Sequence, residues 1–491
     1  MRRSPHLLPL AALIAGALAL GLAYGACTQD DAFISFRYAE NLLAGHGLVY
    51  NPGQAVEGFT NLSWTLLMAG WMALGGEPVV GSILLGLTSL ALAVVGTWKL
   101  AADPQRDWAA LLAPLLVALN PLVALEAVEG LETAAFMAMS AWGLHRLLLE
   151  RREGKAHLGS SAVFALACLT RPEGALLFGL AHLGLWVRAP GRLSAQVRAS
   201  LLGCWPVVLT LVGVTLWRLH TYGLPLPNTF YAKTGGLAVE RGLRYLGWFF
   251  SQNLVLCLGV LAWPVLRWRR GRDQDGVVLA VVAGGYLAYV VAVGGDFKPT
   301  GRFIQPVLPA LATLAAISLR EALERHRQIA LGVGALALPL IAWQGWGSFQ
   351  SAQRIAADRH ANLEARRLVG DWIAAQTPPD TVLAIHSAGV IPYYAGRHTI
   401  DMWGLTDPHI ARAETQDFGS GLAGHERSDP AYVFAQDPDL YLPEDRVFTL
   451  RPWELEPEPG FPEDFQARYR PASFEIEGRY LNLWVRRGFG E

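Results

Sequence analysis

Cysteine is scarce in this 491-residue chain: Cys27, Cys168, Cys204 and Cys257 are the whole complement, and all lie in or beside apolar runs. Their spacing matches neither a zinc-ligand set nor a disulfide framework. No P-loop, GxGxxG, HExxH or GxSxG pattern occurs, so no nucleotide-binding fold is expected. Charge is thin as well, at 16 % of residues, with 40 Lys and Arg against 41 Asp and Glu, and no nucleic-acid partner is expected. Repeats and low-complexity tracts are missing.

What the chain has in quantity is apolar sequence. A hydrophobic fraction of 52 %, 17 Trp and long uncharged runs place it among polytopic membrane proteins. Taking roughly twenty apolar residues per span, the expected helices lie near 7–26, 79–100, 108–125, 132–150, 157–170, 174–188, 200–219, 243–266, 276–293, 303–319 and 328–346, about eleven in all. Residues 1–26 have the two arginines, apolar core and small-residue end of a signal peptide, but the spans that follow favour a retained first helix.

The run 62–76 is too short to span comfortably. Reading it as an interfacial helix puts the excess of basic residues on one side, which the positive-inside rule assigns to the cytoplasm. That side then holds Arg2, Arg3, Lys99, Arg106, Arg146, Arg151, Arg152, Lys155, Arg188, Arg192, Arg198, Arg267, Arg269, Arg270, Arg272, Arg320, Arg325 and Arg327. The opposite face receives the motif-like loops 28–64, 129–132, 171–174, 226–233 and 294–299. The expected fold is therefore a polytopic α-helical membrane domain over 1–346, with a first outer loop at 27–78 carrying interfacial helices, and a soluble outer α/β domain over 347–491. In that tail, 351–376 has the pattern of an amphipathic helix, TVLAI (381–385) and TIDM (399–402) that of strands, YYAGR (393–397) that of a turn, and 443–460 that of exposed loops.

Several groups in the outer loops suggest chemistry, each beside a plainer reading. Asp30 and Asp31 can begin a helix, since Asp suits helix starts; an acid pair at the mouth of a membrane cavity also suits a general base, or shared ligation of Mg²⁺ or Ca²⁺. In RPEG the proline breaks a helix and leaves Arg171 and Glu173 as either a structural pair or part of a phosphate clamp. Lys233 with Asn228 and Tyr231, and Lys298 with Arg302, either anchor the interface or complete a basic vestibule for a phosphate. Glu57, Glu129 and Glu132 are solvated loop acids or substrate contacts, and Arg37 and Asp296 join the substrate-facing candidates. In the tail, His386, Asp401, Asp407 and His409 either maintain the fold or touch an acceptor.

Taken together, DDAFISFRYAENL (30–42), GLVYNPG (47–53), EGFTN (57–61), GLET (130–133), RPEG (171–174), PNTFYAK (227–233), GGDF (294–297) and IDMWGLTDPHIA (400–411) carry a family resemblance. The chain resembles the GT-C superfamily of polyprenyl-phosphate-dependent glycosyltransferases, most of all the branch with the terminal β-(1→2) arabinofuranosyltransferases. The resemblance implies an inverting glycosyltransferase of the bacterial inner membrane, N-terminus cytoplasmic, with a periplasmic active site. Its partners are a polyprenyl-phosphate sugar donor, an envelope glycan, lipid or protein acceptor, and the bilayer. The family's acidic motif falls on Asp30 and Asp31, with Asp30 the first choice for the base. More distant branches, the protein O-mannosyltransferases and lipid A aminoarabinose transferases, have Asp-Glu there, and the second Asp of this chain departs from them. A lipid-linked-sugar flippase and a non-catalytic glycan-binding protein are the alternatives from other classes.

Overall fold

The computed structural model describes residues 6–102, 108–187, 193–267, 274–325, 327–415, 419, 421–443, 447–458 and 460–490. Of the expected cytoplasmic cations, Arg2, Arg3, Arg106, Arg188, Arg192, Arg269, Arg270 and Arg272 lie outside the described residues. Each of the expected apolar runs is helical, and among the described residues four helices are individually long and apolar enough to cross a membrane: Leu7–Tyr24, Pro78–Ala102, Gln274–Val293 and Gln305–Arg325. Counting each bent pair as one span, Leu193–Gly203 with Trp205–Tyr222 and Val239–Gln252 with Leu254–Leu266, brings the number among the described residues to six.

Three expected spans are broken, the mildest being 200–219, which bends by 43° at Cys204. Residues 243–266 do not form one rod: the chain bends by 102° between Gln252 and Leu254. Asn253 marks the break, its Nδ2 donating to Phe249 O at 2.9 Å. Residues 108–125 break at Asn120, whose side chain accepts from the Leu122 and Val123 amides and so starts helix Pro121–Glu126. These latter two breaks meet, Asn120 Nδ2 donating to Asn253 Oδ1 at 3.2 Å. Asparagine makes such breaks tolerable inside an apolar bundle because its amide satisfies backbone groups that the lipid cannot.

The expected span 328–346 and the expected tail helix 351–376 are one helix, Arg327–Gln376, of 50 residues. At 1.5 Å per residue it is roughly 75 Å long, and it runs unbroken through residue 346. Its far end delivers Val369 and Ile373 to the core of a sheet, and Trp372 packs on Phe474 with ring centroids 4.7 Å apart.

That sheet contains β1 (Val382–Ile385), β2 (His398–Asp401), β3 (Leu440–Leu442), β4 (Phe448–Thr449), β5 (Tyr469–Ile476) and β6 (Arg479–Arg486). β1 lies between β2 and β3, parallel to both; β6 is antiparallel to β3, β4 and β5. β5 and β6 turn at Glu477 and Gly478, both at positive φ, the two-residue turn that matches strand twist. The parallel β1–β2 pair needs a crossover, and helix Val390–Ala395 supplies it. YYAGR is thus the end of a helix and its left-handed cap at Gly396, rather than a bare turn.

In the first outer loop, helices Asp30–Leu43 and Leu62–Ala73 pack on each other. The first was expected to lie at the membrane interface, yet residues 32–39 are all buried. The sheet-bearing region covers it: Phe33 meets Tyr393 and Tyr394, and Tyr50 Oη donates to Ala388 O at 2.6 Å. A mixed aromatic and polar pattern looks alike whether its second face meets lipid headgroups or protein.

Candidate active site

Asp31, on the first turn of helix Asp30–Leu43, lines a cavity of about 340 Å³ whose walls also come from 58–61, 131–132, 171–173, Arg218, 226–227, 229–230, 233–234, 295–297, 302–303, Leu405 and 423–424. Loops scattered over the sequence therefore meet at one place. Asp31 Oδ2 accepts from Lys298 Nζ at 3.1 Å and lies 3.9 Å from Arg302 Nη1, while 31 % of the Asp31 side chain stays open. Lys298 is almost wholly buried behind it, and Arg302 Nε donates to Asp296 at 2.8 Å. Lys233, closing the short helix Asn228–Lys233, lines the cavity and makes no ion pair among the described residues.

These cations set the electrostatics. Burial alone would raise the Asp31 carboxyl; Lys298, Arg302 and Lys233 more than reverse this and hold it well below the usual carboxylate range. The low-dielectric surroundings pull the Lys233 ammonium below its ordinary value, against the opposing pull of Asp31. His425 is pushed down to about 4 by burial, and is a neutral imidazole packed between Phe297 and Trp403.

Asp30, the expected base, does not line this cavity. Its two oxygens accept from the Gly389 and Val390 amides at 3.0 and 2.9 Å, and Arg366 Nη1 sits 2.6 Å from Oδ1. The approach demands glycine at 389, where a Cβ would fall 2.0 Å from the Asp30 carbonyl oxygen. Adjacent residues on a helix point about 100° apart, so the pair splits between the sheet-bearing region and the cavity. Asp30 and Asp31 accordingly do not converge on one point, and Asp31 already faces two cations. No group of three or more His, Cys, Asp or Glu suited to a metal ion occurs among the described residues. The arrangement does not fit a Mg²⁺ or Ca²⁺ ion shared by the pair.

Other candidates divide in the same way. Arg171 lines the cavity but is held by Glu132 at 3.1 Å and Glu173 at 3.2 Å, and Asn61 Nδ2 donates to Glu132 at 2.9 Å. Glu57 is buried and takes both bonds of Arg218, at 2.7 and 3.0 Å. Glu129 is buried away from the cavity against Gln29 and Arg359, and burial with Glu126 alongside pushes it up to about 8. The expectation of solvated loop acids fails for all of these, because the loops fold inward against other loops.

Arg37 is also buried, donating to the carbonyls of Tyr50, Pro392 and Arg397 and to Asn51 Oδ1. Asn228 Nδ2 donates to the carbonyls of Gly404, Leu405 and Asp407, and Tyr231 carries the Arg412 guanidinium over its ring. In the tail, Asp401 accepts from the Trp403 and Thr406 amides and Asp407 from the His409 and Ile410 amides, both turn-forming roles. Burial pushes Asp401 up to about 6. His409 stacks on Tyr432 and bonds Asp429; His386 is buried between Trp403 and Tyr441. None of these seven, Arg37, Asn228, Tyr231, Asp401, Asp407, His409 and His386, lines the cavity around Asp31.

Sequence reasoning missed Arg218, Ser35, Asn61 and His425. Arg218 stands alone in an apolar run, which is itself a signal that a charge is needed there. His425 sits in a stretch without motif or periodicity and had none.

Residues 353–484 match a protein family described as a domain of unknown function (DUF8728). The chain is 29 % identical over 333 residues to the terminal beta-(1->2)-arabinofuranosyltransferase of Mycobacterium tuberculosis, covering 59 % of this chain and 52 % of the relative. It is 27 % identical over 362 residues to the enzyme of that name from Corynebacterium glutamicum, covering 63 % and 50 %. The chain thus spans about half the length of the curated relatives it matches. Among solved structures, ArnT from Cupriavidus metallidurans bound to undecaprenyl phosphate superposes with a TM-score of 0.59 at 14 % identity, over 97 % of this chain and 98 % of that one. The structure resembles the GT-C membrane glycosyltransferases, with several apolar helices and a strand-containing C-terminal region, and the protein is a multi-pass membrane protein.

Proposed function

We propose that the protein is an inverting glycosyltransferase, taking a sugar from a polyprenyl-phosphate carrier to a hydroxyl of an envelope glycan, lipid or protein at the outer face of the inner membrane. One observation carries this reading: Asp31, the most open carboxylate of its cavity, is paired from behind with buried Lys298 and faces a space also lined by Arg302 and Lys233. In the reaction the acceptor oxygen bonds to the anomeric carbon from the side opposite the phosphate. The bond from that carbon to the phosphate oxygen breaks, and the carrier phosphate leaves. Asp31 takes the acceptor proton, and Lys233 with Arg302 stabilises the charge gathering on the leaving phosphate. Arg171, already neutralised by two glutamates, orders the wall instead of binding phosphate.

Support for a lipid-phosphate donor comes from the likeness to ArnT, solved with undecaprenyl phosphate, and support for a pentofuranosyl group from the names of the curated relatives. Turnover in proteoliposomes over a panel of labelled polyprenyl-phosphate sugars tests the reading. Glycoside formed together with free polyprenyl phosphate supports it; labelled lipid that crosses the bilayer with no glycoside formed would identify a transporter.

A further inference from the structure

A second cavity, of about 280 Å³, opens between the first outer loop, the 222–228 connection and the segment around Pro408. Glu57, Tyr222, Leu224, Asn228 and Arg412 line it. Asn228 is buried, and its Nδ2 is committed to three carbonyls, which fixes the amide's orientation and leaves Oδ1 without a donor among the described residues. Arg412, exposed at the rim, makes no ion pair among the described residues and donates to Pro408 O at 2.9 Å. The one carboxylate in the wall, Glu57, is neutralised by Arg218.

This donor and acceptor pattern selects a ligand class. A buried amide oxygen without a donor calls for a hydroxyl or N–H, because leaving it unmet is costly. A bare phosphate oxygen supplies no such donor, and Arg412 disfavours a cation. A neutral, hydroxyl-rich ring fits: one hydroxyl donates to Asn228 Oδ1, ring and hydroxyl oxygens accept from Arg412, and C–H faces meet Tyr222 and Leu224. The cavity also shares a wall with the site around Asp31. Arg218 lines the main cavity and bonds Glu57 in this one, and helix Asn228–Lys233 begins here and ends in the other. Five residue steps at 1.5 Å put its two ends roughly 8 Å apart, suited to neighbouring units of one glycan chain.

We propose that this second cavity binds one sugar unit of the acceptor glycan, next to the unit whose hydroxyl reacts at Asp31. The proposal rests on the glycosyltransferase reading, and the test separates the two. Binding of an arabinofuranose trisaccharide is followed by saturation-transfer NMR on detergent-purified Asp31→Asn protein, with and without Arg412→Ala or Leu224→Trp. Both changes are expected to weaken binding by about tenfold or more, as for loss of a charge-assisted contact or filling of the space. In active protein the same two changes raise the KM for trisaccharide and leave the KM for the lipid donor unchanged, whereas Lys233→Gln does the reverse. Trisaccharide binding and KM unaltered in both variants would overturn the subsite. Binding that responds as expected in protein forming no glycoside would keep the subsite and sink the transferase reading.

Discussion

On one side of helix Asp30–Leu43, Asp30 and Arg37 are bonded mainly to backbone: the Gly389 and Val390 amides for the acid, the Tyr50, Pro392 and Arg397 carbonyls for the base. On the other side Asp31 meets side chains, Lys298 and Arg302, with Lys233 close by. A charge bonded to backbone is fixed by the fold and is not released to a ligand. A charge held by other side chains can exchange a partner, because Arg302 already divides itself between Asp296 and Asp31 and the phosphate of a donor offers it a third anion. The seam to the sheet-bearing region and the cavity thus use the same residue types for opposite ends.

The largest expected effect tests that division directly. Asp31→Asn removes a general base, and turnover per folded molecule should fall by roughly two to four orders of magnitude. Asp30→Asn should act on stability instead, by about 1.5–3 kcal/mol, the worth of a charge-assisted hydrogen bond, because the amide has one oxygen for the Gly389 and Val390 amides and no charge for Arg366; donor and acceptor KM should stay unchanged. Measured turnover and thermal melting in detergent would need to swap between the two variants to undo the assignment.

Arg37→Ala and Arg171→Gln come next. Arg37 satisfies several buried carbonyls, and Arg171 is the one cation between Glu132 and Glu173. Removing one member of such a buried set costs about 3–5 kcal/mol, so both variants should melt early or purify poorly. Lys233→Gln should not, since among the described residues it has no ion pair to lose. It should weaken donor binding by about ten- to a hundredfold, the worth of one charge-assisted bond to phosphate. Normal melting in Arg171→Gln combined with weakened donor binding would return Arg171 to the phosphate clamp.

Much of this architecture can be read from residues alone. Apolar runs locate the helices, and the positive-inside rule gathers five loops on one face, where Asp31, Arg171, Lys233 and Arg302 do meet. What pattern could not reveal depends on contacts far apart in sequence. Asp30 and Asp31 are neighbours with the same chemistry, and Gly389, 359 residues from Asp30, helps to decide which of them faces the cavity. The bend at Asn253 needs Asn120 for its partner. Glu57 looks solvated until Arg218 is brought to it from 161 residues away. In each case the deciding partner is long-range, and local periodicity carries no information about it.

The smallest expected effect sharpens the contrast between a fixed and an exchangeable charge. In the free protein the cations hold the Asp31 carboxyl below its ordinary range. The stability linked to that shift is present above the unfolded-state pKa and is lost as pH falls through the folded one. Asp31 works as a base only when ionised, so on the proposed reading the acid limb of kcat/KM for donor, which reports the free protein, should lie below the usual carboxylate range. A bound donor phosphate draws on Lys233 and Arg302 and weakens their pull on Asp31, which raises its carboxyl toward the ordinary value. The acid limb of kcat, which reports the complex, should therefore stand at higher pH than that of kcat/KM. Lys298→Gln should move both limbs upward, because it removes the cation nearest to Asp31. Coincident limbs in the unaltered protein would mean that the donor phosphate leaves the field at Asp31 unchanged, and hence that it does not bind at Lys233 and Arg302.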